Sequence, residues 1–159
     1  MIEIPLTQGQ LALIDDEDFE LVNKYNWIAH WDRRTKSFYA TTRIGKQEGC
    51  RKFLRMHRLI MNAKKGQQVD HIHHLTLDNR KSQLRLCSHG QNQHNRSIQL
   101  NNTSGFKGVS YDATKHKWRA FIGVNGKNRH LGYFIALEMA HTAYCRAALE
   151  LYGEFACFG

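Results

Sequence analysis

The sequence predicts an α+β protein in two parts, on three observations. Short apolar runs separated by polar turns fill the first part. An Asp-His pair at the end of one such run is followed by a second run and a short capped helix. The last third places strand-like segments around an Asn-Gly turn ahead of one amphipathic helix. The predicted architecture is a strand-rich module leading into a strand, loop, strand, helix cradle, then a three-stranded antiparallel sheet packed on one helix.

Taken in order, Leu11–Ile14, Asn26–Trp31 and Phe38–Ile44 read as strands of a small sheet. Phe53, Leu54, His57, Ile60 and Met61 recur at helical spacing before the breaker Lys64-Lys65-Gly66, which predicts a helix over about 52–62. Val69-Asp70-His71-Ile72 ends an apolar run in a carboxylate and an imidazole. Leu84–Cys87 reads as a second strand, and the stretch 88–96 as a helix with Ser88 as N-cap. The polar stretch 97–105 looks like a linker, so the chain divides into 1–98, a linker at 99–105, and 106–159. Beyond it, Phe106–Tyr111, Trp118–Val124 and Arg129–Phe134 form a meander. Ala136–Tyr152 puts Met139, Ala140, Ala143, Tyr144, Ala147 and Leu151 on one helical face, with Gly153 as its stop.

Composition narrows the function. Hydrophobic residues make up 42% of the 159 residues, enough for packed cores, and no apolar run approaches the roughly 20 residues that span a bilayer. The opening MIEIPLTQGQLALIDDEDFE lacks the basic region and small-residue cleavage site of a secretory signal, so a cytoplasmic location is expected. Cys50, Cys87, Cys145 and Cys157 lie far apart and form no close zinc-type pairs, so free thiols are expected. The net charge of +9 suggests a polyanionic partner. It is unevenly spread: residues 1–30 sum to −5 and residues 31–99 to +11, around a cluster of His71, His73, His74, His89 and His94.

Phosphodiester hydrolysis needs a positioned water, a base, and a divalent cation that stabilises charge on the phosphate and leaving oxygen. Asp70 and Asn92, 22 residues later, offer one oxygen each from facing elements, a donor set that suits a hard ion. His71, beside the first donor, is then the natural base. Singly these residues have plainer readings. Asp70 and His71 could be a surface pair, His73 and His74 loop residues, His57 a packed and hydrogen-bonded histidine, and Arg58, Arg80, Arg85 and Arg96 either phosphate contacts or solvated charges. His94 stays open.

Together, Val69-Asp70-His71-Ile72, Leu77-Asp78-Asn79-Arg80, Gln83-Leu84-Arg85 and Gln91-Asn92-Gln93-His94-Asn95 resemble the HNH endonucleases of the phage and mobile-intron homing branch, the ββα-metal fold, over about residues 57–97. The resemblance implies a double-stranded DNA endonuclease with Asp70 and Asn92 as metal ligands and His71 as general base. Arg96 stands where zinc-binding relatives carry histidine, so Mg²⁺, or alternatively Mn²⁺, is the implied ion, with no small-molecule cofactor and no membrane partner. The family's middle asparagine, which braces the loop carrying the base, is here Gln83.

Residues 105–156, through Phe106-Lys107-Gly108-Val109, Lys117-Trp118-Arg119-Ala120, His130-Leu131-Gly132-Tyr133-Phe134 and the following helix, resemble the plant APETALA2/ethylene-response DNA-binding domain. That resemblance implies a sheet in the major groove, with Lys107, Lys117, Arg119 and His130 at or near DNA-facing positions and Trp118 in the core. Ser110, Asp112, Phe121 and Gly123 replace the arginines or polar contacts usual there, which implies different base readout. Two rival readings remain: a catalytically inactive DNA-binding protein that keeps the nuclease scaffold, and a zinc-dependent structural binder, for which four ligands do not assemble.

Overall fold

The structure is a computed structural model. It describes every residue except 48, 49, 97, 99 and 100, and leaves the side chains of 46, 47, 50 and 51 undescribed. The architecture is mixed α+β and divides into two compact units, Met1–His89 and Gly90–Gly159.

In the first unit, β1 (Ile2–Pro5) pairs antiparallel with β2 (Leu11–Ile14). After a one-turn α1 (Phe19–Val22), β3 (Ile28–Asp32), β4 (Ser37–Gln47) and β5 (Cys50–Arg55) form a three-stranded antiparallel sheet in sequential order. The helix expected over 52–62 is thus corrected: α2 spans only Met56–Ile60, and the residues before it belong to β5. The helical spacing of Phe53 and Leu54 with His57 is coincidental. Pairing of Arg43 with Phe53 and of Thr42 with Leu54 satisfies the strand's backbone instead, and Phe53 remains half exposed. Sequence reasoning misses β1 and α1, because their apolar residues are too few to show a period.

β6 (Gln68–His71) and β7 (Leu84–Cys87) form an antiparallel hairpin in which Asp70 faces Arg85 and His71 faces Leu84. α3 (His89–His94) begins directly after Ser88. Ala12, Ile14, Val22, Trp27, Ala40, Met56, Ile60 and Leu84 share one core, so the N-terminal strands and the hairpin fold as one body.

The second unit is a meander of β8 (Val109–Asp112), β9 (Lys117–Val124) and β10 (Lys127–Phe134), followed by α4 (Leu137–Tyr152). Asn125 and Gly126 join β9 to β10 with φ of 50° and 77°, the left-handed pair that a two-residue hairpin requires. Val109, Ala120 and Ile122 are buried against Ala140, Tyr144 and Ala148. The expected helix face is therefore partly corrected. Met139 and Leu151 are exposed, while Ala148 lies inside, one turn on from Tyr144. Gly108, at φ +70°, lies so close to Tyr144 that a Cβ there would fall 2.1 Å from its ring. Cys87 and Cys157 are buried and Cys145 is partly buried, with no disulfide among these three; the side chain of Cys50 lies outside the described residues. Among the described residues, no helix is long and apolar enough to cross a membrane.

Candidate active site

The Asp-His pair closes β6, paired with β7, and both side chains are buried although they project to opposite faces of the hairpin. Asp70 is 6% and His71 7% exposed. The Asp70 Oδ2 accepts hydrogen bonds from Arg85 Nε at 2.9 Å and Nη2 at 2.7 Å, so the buried carboxylate is charge-compensated by its cross-strand neighbour. Arg85, expected as a phosphate contact, has its guanidinium committed to this pair.

His71 is held in its neutral form. Burial pushes its pKa down to about 4, against the opposing pull of the Asn79 side chain, Asp70 and Asp78. Behind it stands His57, whose ring meets His71 edge to face at 4.9 Å. Tyr39 packs on both rings, at 5.8 and 6.1 Å, and Arg55 lies 4.6 Å over Tyr39. His57 is 4% exposed and burial holds it well below the usual imidazole range. It is packed as expected, and its Nδ1 finds no hydrogen-bond partner among the described residues.

The loop between β6 and β7 is stitched to the N-terminal strands. Leu13 N–H donates to Leu77 O at 2.9 Å, and Asn79 N–H donates to Leu13 O at 2.8 Å. Thr76 Oγ1 donates to Phe38 O at 2.6 Å, and Lys81 N–H donates to Asp15 Oδ2 at 2.7 Å. Arg80 grips Asp78 at 2.8 and 2.6 Å. Gln83 contributes through its backbone, its carbonyl accepting from Ile72 N–H at 3.0 Å. Asn79, fully buried and beside His71, is a site residue that sequence reasoning misses. The signal lies in its place within Leu77-Asp78-Asn79-Arg80, a motif whose members carry no role from the residues alone. His73 and His74 are exposed on this loop, as expected.

Of the other expected contacts, Arg58 is structural. Its guanidinium donates to Gln67 O at 2.7 Å, Lys64 O at 3.2 Å and Ala63 O at 3.4 Å, tying down the turn after α2. Arg96 is exposed and donates to Gln93 Oε1 at 2.9 Å. Asn92 lies on α3, partly buried. In the second unit, Lys107 does not sit on the open face. Its Nζ donates to His94 O at 3.0 Å and Arg96 O at 2.5 Å, and burial pulls its pKa down. Lys117, Arg119 and His130 are exposed on the sheet face away from α4, where Arg119 pairs with Ser110 and Tyr133, and His130 with Phe121. Trp118 is partly buried on the α4 side, against the core.

Comparison with known proteins supplies two relatives. The chain is 34% identical to "Protein 3.8" of Escherichia phage T7 over 94 residues, covering 59% of this chain and 77% of that protein. It is 30% identical to "Uncharacterized HNH endonuclease L560" of Acanthamoeba polyphaga mimivirus over 152 residues, covering 94% of this chain and 74% of that one. No family profile matches the chain, and no solved structure does. A buried Asp-His pair at the end of a hairpin strand, within a chain that aligns almost end to end with that mimivirus protein, leads to one conclusion: the chain belongs to the HNH endonuclease family.

Proposed function

We propose that this chain is a metal-dependent endonuclease of the homing type that hydrolyses phosphodiester bonds in double-stranded DNA, with a ββα-metal site at β6, β7 and α3 and an APETALA2-type DNA-binding domain in its second unit. The observation that carries the reading is the buried Asp70–His71 pair, in which burial keeps the imidazole in the neutral form that a general base must have before it acts.

His71 takes the proton from the attacking water as the oxygen bonds to phosphorus and the 3′-oxygen leaves. Asn79, Tyr39 and His57 limit the ring's orientations. Asp70 and Asn92 would hold the cation. One carboxylate and one amide oxygen suit an ion bound by few protein oxygens. Mg²⁺ is such an ion, since it keeps several waters. When bound, it supplies positive charge for the phosphate and the leaving oxygen. The second unit would hold the duplex through Lys117, Arg119 and His130, on the sheet face that α4 leaves open. The domain limits 1–98 and 106–159 belong to this proposal.

The engagement of Asp70 Oδ2 by Arg85 favours the second reading, an inactive DNA-binding protein on the same scaffold. Incubation with supercoiled plasmid separates the two. Mg²⁺-dependent conversion to nicked or linear DNA, abolished by EDTA and by His71→Ala, is expected; binding with no strand breakage at any Mg²⁺ or Mn²⁺ concentration would establish the inactive scaffold.

A further inference from the structure

α3 has six residues and buries none of them. A helix this short is marginal by itself, since nucleation costs more than two turns of hydrogen bonds return. Its last bonds are long: Asn95 N–H to Gln91 O and Arg96 N–H to Gln93 O both measure 3.4 Å. Something outside the helix must hold it, and all but its first residue group with the second unit.

Two side chains grip its C-terminal end. Lys107 Nζ, at 3.0 Å from His94 O and 2.5 Å from Arg96 O, supplies a cation to the carbonyls at the C-terminal end, where the helix dipole is negative. The same ammonium meets the Cys157 side chain, which links this end of α3 to the C-terminal tail. Tyr152, the last residue of α4, lays its ring flat on His94, with centroids 3.7 Å apart and planes 11° apart. Its hydroxyl donates to Gly123 O on β9, so the ring is itself fixed to the sheet.

We infer that Lys107 and Tyr152 are positioning residues for the nuclease reaction: by clamping the end of α3 they fix the orientation of Asn92. This rests on the assignment of Asn92 as a metal ligand, and it removes Lys107 from the phosphate contacts. Residues that orient metal ligands typically cost about 10- to 100-fold in metal affinity when removed.

The test uses the full chain bound to a DNA duplex, with Mn²⁺ binding followed by electron paramagnetic resonance, Mg²⁺ dependence of single-turnover cleavage, and DNA affinity across salt. Lys107→Met and Tyr152→Leu are each expected to weaken Mn²⁺ binding about 10-fold and to raise the Mg²⁺ midpoint equally, with DNA affinity and salt slope unchanged. Tyr152→Phe, which keeps the stacked ring, should retain near-native Mn²⁺ binding. Melting curves accompany each variant, and if Tyr152→Leu does not fold, Lys107→Met decides alone. Asn92→Ala separates the two levels. If it leaves Mn²⁺ binding unchanged, the ligand assignment falls and the inference with it. If it weakens binding while Lys107→Met and Tyr152→Leu do not, only the clamp is overturned. A Lys107→Met protein whose log–log salt slope drops by about 0.9 with Mn²⁺ affinity intact makes Lys107 a phosphate contact and overturns the clamp as well.

Discussion

The β6–β7 hairpin and the β8–β9–β10 sheet are both built from short antiparallel strands, yet they use burial in opposite ways. Around the hairpin the buried residues include His57, Asp70, His71, Asp78 and Asn79, polar groups that cost free energy to bury unless partnered. The second sheet buries Val109, Ala120 and Ile122 and keeps Lys117, Arg119 and His130 in water. Buried polar groups are rigid and electrostatically strong, which suits chemistry. Exposed cations on a flat sheet suit the recognition of a charged surface. Rate should therefore hang on the buried polar residues around the hairpin and on the α3 ligand, and DNA affinity on the exposed cations of the second sheet.

The largest effect that tests this contrast is His71→Ala. Removing a general base should lower the single-turnover rate by roughly 10² to 10⁴ while DNA affinity stays within a few fold. Lys117→Ala with Arg119→Ala should do the reverse, leaving the saturated rate unchanged and reducing the salt slope by about 0.9 for each phosphate that is no longer neutralised. Equal loss of rate and affinity in both variants would erase the division of labour.

Gly108→Ala should be the most damaging change to the second unit's stability. It combines a left-handed backbone with a Cβ placed 2.1 Å from the Tyr144 ring, and strain plus overpacking should cost roughly 2 to 4 kcal/mol. Calorimetry should show a lower melting temperature; an unchanged one would mean that Tyr144 moves aside freely.

The first unit should be the acid-sensitive one. His57 and His71 both have folded pKa values below the unfolded value of about 6.5, so as pH falls from there toward about 4 the unfolded chain binds protons that the folded chain refuses. Stability is then fully present above pH 6.5 and declines below it, by about 1.4 kcal/mol per pH unit for His71 down to about pH 4, with His57 adding in the same direction. Denaturant titration of His57→Gln should show a smaller loss of stability as pH falls below 6.5 than the native chain shows; an identical loss would mean that His57 is protonated in the fold.

The smallest effect is expected at Gln83. Its backbone bonds to Ile72, and the base-bearing loop is anchored by Leu13, Asp15, Phe38 and the buried Asn79. Gln83→Asn should change the single-turnover rate less than about threefold, well below the roughly 100-fold cost of misplacing a catalytic group by about 1 Å. A larger gain would show that the glutamine side chain matters to the loop after all.

Much of this can be read from the residues alone, wherever the signal is local. The apolar run of β2, the alternation along β9, the Asn125-Gly126 turn and the long amphipathic α4 are properties of neighbouring residues, and so is the order Asp70-His71 on a strand. What tertiary structure decided are the partnerships between distant segments. Strand pairing with β4 turned the apolar spacing of Phe53 and Leu54 into β5. Cross-strand register put Arg85 on Asp70, and an isolated bridge from Leu13 to Asp78 brought a strand of the first 15 residues to the loop behind His71. Charge in a sequence says that a lysine seeks an anion or a carbonyl; only the fold shows that Lys107 found the end of α3. The physical reason is that hydrogen bonds and ion pairs act over a few ångströms. Which groups come that close depends on how separate segments share a core, and no local pattern encodes it.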